Sequence, residues 1–364
     1  MAHIETRDLA KGRRSYIVRW REPGTGKKCH KVFHRSDDAR RYRNDLERQM
    51  DMGDYVSSDL RSTPFGEYAK EVLKADWGLR DSTRYGYEHY LSKWITPTLG
   101  DEPIGKITTS QLRGFFADIE ASDVVKASVY RLLAKVFNQA LRDGILSKSP
   151  LAPISRPRPA RKEIHPIDPS LVRLIAEEAD PRYRVPILLA GFAGLRAGEV
   201  GGLHWKDVDV AGGTLSIRQA VRQVGPKRVL GDVKTGSSRR RVKVPGFLLQ
   251  ELLWHARGFP PIEDRVFSTE AGGLVSHNVL LRRFQSACKA ADQPKMRFHD
   301  LRHSCASLLI REGAHPKMVQ AYLGHANISI TLDIYGHLFP SVADELADRL
   351  DRVWVQTDAV RRIG

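Results

Sequence analysis

Cysteine is scarce. Cys29, Cys288 and Cys305 are the three in 364 residues, far apart and odd in number. They form no Cys-x-x-Cys metal pair and no disulfide framework, which fits a reducing cytosol. Long apolar runs are missing as well. None approaches the ~18 residues that cross a bilayer, so a helical membrane protein is not expected. The opening Met1-Ala2-His3-Ile4-Glu5-Thr6-Arg7 lacks an apolar stretch, and no secretory leader is expected from it. There is no Gly-x-x-x-x-Gly-Lys-[Ser/Thr] loop to cradle nucleotide phosphates and no His-Glu-x-x-His zinc helix. No internal repeat or low-complexity tract occurs. With 41% hydrophobic and 28% charged residues, the composition is that of a globular protein of two or three domains.

Acidic residues are also in short supply: 43 Asp and Glu stand against 59 Lys and Arg, a net charge of +16. Arg outnumbers Lys 40 to 19, and the planar guanidinium holds phosphate with two parallel bonds. The excess is spread along the chain: +5 over 1–55, +3 over 56–160 and +8 over 161–364. A polyanion such as nucleic acid can be gripped along the whole protein; the plainer alternative is a solvated basic surface.

The pattern predicts a multidomain chain. Residues 1–55 read as a small β-sheet followed by a helix: strands at 4–9, 15–21 and 28–33, a Pro23-Gly24-Thr25-Gly26 turn, and a helix capped by Ser36-Asp37-Asp38. Arg19, Arg21, Lys28 and Lys31 on these strands could enter a major groove, or the sheet could be a mere packing unit. Residues 56–148 read as all-helical, with Thr63-Pro64, Asp81-Ser82-Thr83 and Thr109-Ser110 opening helices, a loop over 95–107, and a long periodic helix from Val125 to Asp143 stopped by Gly144. Four prolines between Ser149 and Pro159 mark a linker over 149–164. Residues 165–340 read as mixed α+β, mainly helical, with strand signals between Gly213 and Pro245 and helices at 169–179, 184–193, 197–203, 247–256, 277–291, 299–312, 316–323 and 328–338. Residues 341–364 read as a short amphipathic helix and a tail.

Four clusters in this last region could do chemistry. In Gly194-Leu195-Arg196-Ala197-Gly198-Glu199, Arg196 follows a helix-ending Gly, and Glu199 is close enough to hold it; a surface ion pair is the bland alternative. Residues 232–241 look like a hairpin tip, with Lys234 before the turn and Arg239, Arg240 and Arg241 after it. In Arg297-Phe298-His299-Asp300-Leu301-Arg302-His303, His299 shares a helix face with Arg302 and with His303. That could be a metal pair, but no further ligands follow, and an anion site is the better fit. Last come Leu323-Gly324-His325 and Asp333-Ile334-Tyr335-Gly336-His337. A lone Tyr is usually packed with its hydroxyl satisfied; near Arg and His its phenol is easier to deprotonate and could be a nucleophile. Together Arg196, Lys234, His299, Arg302, His325 and Tyr335 suit metal-free transfer of a phosphodiester to tyrosine.

In the order and spacing of these motifs the chain resembles the tyrosine recombinases of the phage integrase family, specifically over 165–340 and more loosely over 62–148. The resemblance implies that 56–148 is a core-binding domain, 165–340 the catalytic domain and 1–55 an arm-type DNA-binding domain. It implies that Tyr335 attacks the scissile phosphate to give a 3′-phosphotyrosyl bond, with Lys234 as general acid. Arg196 and Arg302 clamp the phosphate oxygens, and His325 adds a hydrogen bond. His299 handles the tyrosine proton, and Glu199 orients its neighbours. The expected DNA contacts are Arg19, Arg21, Lys28, Lys31, Arg239 and Arg240. No cofactor or metal is implied. The implied partners are double-stranded attachment sites, a homotetramer on two DNAs with strand exchange through a Holliday junction, and, for a phage or mobile-element integrase, a DNA-bending host factor and an excision factor. The expected location is the cytoplasm, on the nucleoid when bound to DNA, and the helix at 341–350 is expected to pack on a neighbouring protomer, the alternative being that it caps its own catalytic domain. The alternatives are a type IB topoisomerase-like enzyme and a non-catalytic DNA-binding regulator. Lys234-Thr235-Gly236 also matches a β-lactamase-like triplet, but Ser286-Ala287-Cys288-Lys289 falls after it and no Ser-Asp-Asn exists. The direction of reaction and the DNA sequence recognised are not legible.

Overall fold

In the first residues, antiparallel pairing sets which side chains share a face. β1 (His3–Leu9), β2 (Arg13–Arg21) and β3 (Lys28–Phe33) form an antiparallel sheet with β2 central. Tyr16, Val18 and Trp20 turn to one side and build a small core with Ala39, Tyr42 and Leu46 of the helix Ser36–Asp51. The cap residue of that helix is Arg35, with no side-chain bond, so Ser36 lies inside the helix while Asp37 and Asp38 favour its dipole. Arg19 pairs with His30, and Arg21 with Lys28, on the opposite face. Lys31 does not join them. It pairs with Val18 on the helix side, its ammonium 4.4 Å from the Tyr42 ring centroid. The period of two separates it from the other basic residues.

The computed structural model describes residues 2–9, 13–23, 26–52, 55, 58–159, 166–233, 236–336, 350–352 and 354. The chain divides into two compact units, 1–161 and 162–364. In the first unit the sheet is followed by helices Ser58–Ser62, Phe65–Ala75, Asp81–Tyr90, Thr109–Asp118 and Asp123–Arg142 around a core that includes Phe65, Leu112, Leu132 and Phe137. The expected loop at 95–107 is partly helical instead. The helix from Asp81 runs on through a π turn, Leu91–Ile95, into Thr96–Leu99. Leu91, Ile95 and Leu99 are all buried, and this four-residue apolar spacing carries the helix past Pro97, with the π turn lying just before it. Thr108 and Gln111 close a capping box one residue before the expected start. The described part of the proline segment carries turns but neither helix nor strand after Pro150.

The second unit holds helices Pro169–Glu177, Pro181–Phe192, Ala197–Gly201, Gly246–Gly258, His277–Ala290, Phe298–Arg311, Pro316–Leu323 and Ile328–Tyr335. β4 (Val208–Asp209), β5 (Thr214–Ile217) and β8 (Arg240–Lys243) form one small antiparallel sheet. β6 (Gln219–Val224) and β7 (Lys227–Asp232) form a separate hairpin. Helix Phe298–Arg311 packs on Pro181–Phe192, and the core between the elements includes Leu189, Leu248, Phe284 and Leu301. This is the multidomain, mainly helical architecture that the sequence predicts. Lys234, His337 and the expected helix at 341–350, save Leu350, lie outside the described residues.

Candidate active site

Two left-handed glycines build the floor of the site. Helix Pro181–Phe192 ends at Gly194, with φ +62°, and helix Pro316–Leu323 ends at Gly324, with φ +68°. At Gly194 the left-handed backbone strains any other residue, and a Cβ would lie 2.5 Å from Leu323 Cδ2 and push it aside. The turns present their carbonyls to two arginines. Arg302 donates from Nη1 to the Gly194 carbonyl and from Nη2 to that of Leu323, the latter at 2.6 Å. Arg196 donates from Nη2 to the Gly324 carbonyl at 3.1 Å. Two segments more than a hundred residues apart thereby hold both guanidiniums. Arg302 is buried, while the Arg196 side chain is 36% exposed.

Glu199 ties this arrangement to β8. Its carboxylate accepts from Arg196 Nη1 at 2.7 Å and from the Arg196 backbone N–H at 2.9 Å. It also accepts from Arg240 Nη1 at 3.2 Å and Nη2 at 3.0 Å. Arg240 Nε donates to the Tyr322 carbonyl at 2.8 Å. Burial pushes the Glu199 carboxyl up, but Arg240, then Arg196 and Arg302, overcome it and hold the group below its usual range. Arg240, expected to contact DNA, is therefore a buried partner of Glu199, its side chain 6% exposed. Arg239 is exposed and pairs with Asp232 at 2.8 Å.

Three histidines and the phenol complete the site. The His325 ring is buried, with Nδ1 2.9 Å from the Thr331 hydroxyl. Burial, then Arg302, Arg196 and Arg240, depress its pKa to about 3, so it is neutral. His299 is exposed at the rim, edge-on to His303 with ring centroids 4.8 Å apart. The protein around it, then His303 and Arg302, hold its pKa below the ordinary range. Tyr335 is buried, and its hydroxyl shares a hydrogen bond with His303 Nδ1 at 2.6 Å. The expected lowering of the phenol's pKa is reversed: burial raises it, and Arg302 offsets only part of that. In this state Tyr335 is a protonated phenol.

These shifts give an acid-lability prediction. His255, enclosed between Phe259 and Phe267, is depressed to about 4 by burial and then by Arg182. His255 and His325 both have folded values below the unfolded 6.5. Their neutral forms therefore contribute stability fully above about pH 6.5, and it is lost as pH falls towards the folded values. Unfolding free energies from urea titrations are expected to drop steadily from pH 6.5 to 4.5, by up to about 1.4 kcal/mol per pH unit for each histidine. A flat profile would contradict this. Glu199 cannot produce the drop, because its folded value lies below 4.5.

Of the residues singled out in the sequence, Arg196, Glu199, His299, Arg302, His325 and Tyr335 meet at this one site. Arg19, Arg21 and Lys28 share a face of the N-terminal sheet, and Lys31 does not. Sequence reasoning missed His303 as the partner of Tyr335, although its i, i+4 relation to His299 was visible. It also missed Thr331 and the Leu323 and Gly324 carbonyls, which no spacing betrays. Two guanidiniums, neutral imidazoles and a phenol hydrogen-bonded to an imidazole nitrogen suit attack of the phenol on a bound phosphodiester.

Residues 168–341 match the model described as the Phage integrase family, and residues 65–118 match the phage integrase N-terminal SAM-like domain. The chain is similar to a protein named as prophage phiRv2 integrase in Mycobacterium tuberculosis, 29% identical over 335 residues that span 89% of this chain and 88% of the relative. It is similar to a XerC-like tyrosine recombinase of Caldanaerobacter subterraneus, 27% identical over 340 residues, 84% of this chain and 85% of the relative. The Tn1549 transposon integrase in complex with transposon right end DNA shares the fold, with TM-score 0.66 and 19% identity over 80% of this chain and 99% of that one. So does a lambda integrase dimer bound to a COC′ core site, with TM-score 0.60 and 17% identity over 90% of this chain and 93% of that one.

Proposed function

We propose a function from the premise that the chain belongs to the phage integrase family and is a tyrosine recombinase, a site-specific DNA-recombining enzyme. It integrates and excises a phage or other mobile element by cutting and rejoining DNA through a 3′-phosphotyrosyl bond on Tyr335. The observation that carries this is the convergence of Arg196 and Arg302 on the Leu323-Gly324 turn, beside a phenol within hydrogen-bond distance of a histidine nitrogen.

A scissile phosphate lies between the two guanidiniums. Arg302 has five N–H groups, of which the Gly194 and Leu323 carbonyls take two. The remainder, with Arg196, neutralise the non-bridging oxygens as charge builds on them. Neutral His325 receives Thr331 at Nδ1 and donates from Nε2. The Tyr335 oxygen bonds to phosphorus, the bond to the 5′ oxygen breaks, and that oxygen takes a proton from Lys234, a role carried by the resemblance. The phosphotyrosine keeps the energy of the broken phosphodiester, so rejoining needs no ATP, and the two arginines supply the charge a metal would otherwise bring.

The domains divide the grip on DNA. Residues 56–148 and 165–340 clasp the core site, joined by the linker at 149–164, and 1–55 bind a second, arm-type site through the face bearing Arg19, Arg21 and Lys28. Four protomers join two sites and pass through a Holliday junction, with 341–364 contacting a neighbour. A DNA-bending host factor and an excision factor are its accessory partners, and the work is done in the cytoplasm. A lambda integrase tetramer bound to a Holliday junction, of the same fold at 18% identity and TM-score 0.57, supports this assembly.

The test is covalent capture. The protein is mixed with sheared DNA from its source organism, in EDTA and without ATP, then denatured in SDS, and the protein-linked fragments are sequenced. Convergence on one site is expected. Scattered adducts would favour topoisomerase-like cleavage, and no adducts would contradict the proposed chemistry.

A further inference from the structure

The partner of the Tyr335 hydroxyl is His303, not the His299 to which the resemblance gives the tyrosine proton. Nδ1 of His303 lies 2.6 Å from the phenol oxygen, and the two residues are 6% and 2% exposed. His299 is exposed at the rim and meets His303 edge-on. From this geometry we propose that His303 is the general base that takes the proton of Tyr335 as it attacks DNA. The proposal rests on the recombinase reading above.

The step balances along bonds already in place. The phenolic proton moves to Nδ1, the phenol oxygen forms its bond to phosphorus, and the bond from phosphorus to the 5′ oxygen breaks. The departing oxygen takes a proton from the general acid. His303, protonated beforehand on Nε2 only, becomes an imidazolium and returns the proton to Tyr335 when a 5′ hydroxyl attacks to rejoin the strand. Burial keeps water off Nδ1. Arg302 and His303 are consecutive on helix Phe298–Arg311, so one rigid element carries both a phosphate clamp and the base. The charged and titratable groups facing His303 are Asp300, Arg297, Arg302 and His299 from its own helix and its start, and Tyr335 from helix Ile328–Tyr335.

The experiment uses the full-length protein and a nicked suicide duplex carrying the site returned by covalent capture, with adduct formation timed from pH 6 to 10. His303→Gln keeps an acceptor oxygen near the phenol but cannot hold a proton. It is expected to fold, to bind the duplex like the wild type, and to cleave about 10²- to 10⁴-fold more slowly at pH 7. Its rate should rise about tenfold per pH unit as hydroxide replaces the base, while the wild type levels off. A duplex with a 5′-bridging phosphorothiolate, whose thiolate leaves without a proton, should not rescue it. His299→Gln should lose less than His303→Gln. Should His303→Gln not fold, His303→Ala is expected to regain cleavage with free imidazole. A His303→Gln rate near that of the wild type, a faster rate, rescue by the phosphorothiolate, a pH profile parallel to the wild type, or no imidazole rescue would each overturn the proposal. A faster rate would make the contact a latch on Tyr335. Absence of adducts with the wild type would instead fell the recombinase reading itself.

Discussion

Tyr335→Phe is expected to abolish the protein–DNA adduct while leaving DNA binding within about twofold of the wild type. The phenylalanine keeps the ring that packs with Cys305, Ile310 and Leu323 and removes one oxygen. No described neighbour offers a substitute nucleophile of matching placement: Cys305 is buried in that same apolar cluster, and its burial pushes the thiol up to about 12. The loss should therefore be complete rather than partial. Folding should suffer only modestly, since the change leaves Nδ1 of His303 without this hydrogen-bond partner, a cost of about 1–3 kcal/mol. SDS gels of adduct and gel-shift titrations on the same duplex separate the two effects. Adduct persisting in the variant would move the nucleophile elsewhere.

Glu199→Ala should be the most damaging change to stability at the site. Glu199 is 3% exposed and lies between Arg196 and Arg240. Arg240 is nearly as buried and would keep its charge with no counter-ion. Breaking such a pair from one side costs about 3–5 kcal/mol. For a unit of this size that is a fall of roughly 10 °C in Tm, at ~2–4 °C per kcal/mol. Removing both buried partners, in Glu199→Leu with Arg240→Leu, should recover much of the loss, because no lone charge then remains inside. Thermal and urea melts of the two singles and the double form a cycle that measures the coupling. A single-variant loss under about 1 kcal/mol would mean that water reaches Arg240. Adduct formation by Glu199→Ala should fall as well, since the carboxylate sets the angle of Arg196 towards Gly324.

The helices of the second unit were legible because their apolar spacing was strong: those expected from 169 and 316 begin at Pro169 and Pro316, while the one expected from 184 starts a turn earlier, at Pro181. The segment after Trp94 was read as a loop over 95–107, while Ile95 and Leu99 in fact continue the buried stripe past Pro97. The site's residues announced themselves by type and order, but their contacts did not. Arg239, Arg240 and Arg241 are identical letters in a row, yet strand pairing in β8 turns Arg240 inward to Glu199 and leaves its neighbours outside. Lys31 was grouped with Arg19 by charge and separated from it by the two-residue period. His303 was weighed as half of a metal pair with His299, because spacing within one helix is visible in a sequence and the approach of Tyr335 from 32 residues away is not.

The most direct measurement is the site of attachment. The trapped adduct would be digested with nuclease and then protease, and the peptide that retains a nucleotide sequenced by mass spectrometry. The expected peptide contains Tyr335, with the nucleotide's phosphate on its phenol oxygen and a 3′ linkage. A nucleotide on any other residue, or a 5′ linkage, would contradict the mechanism.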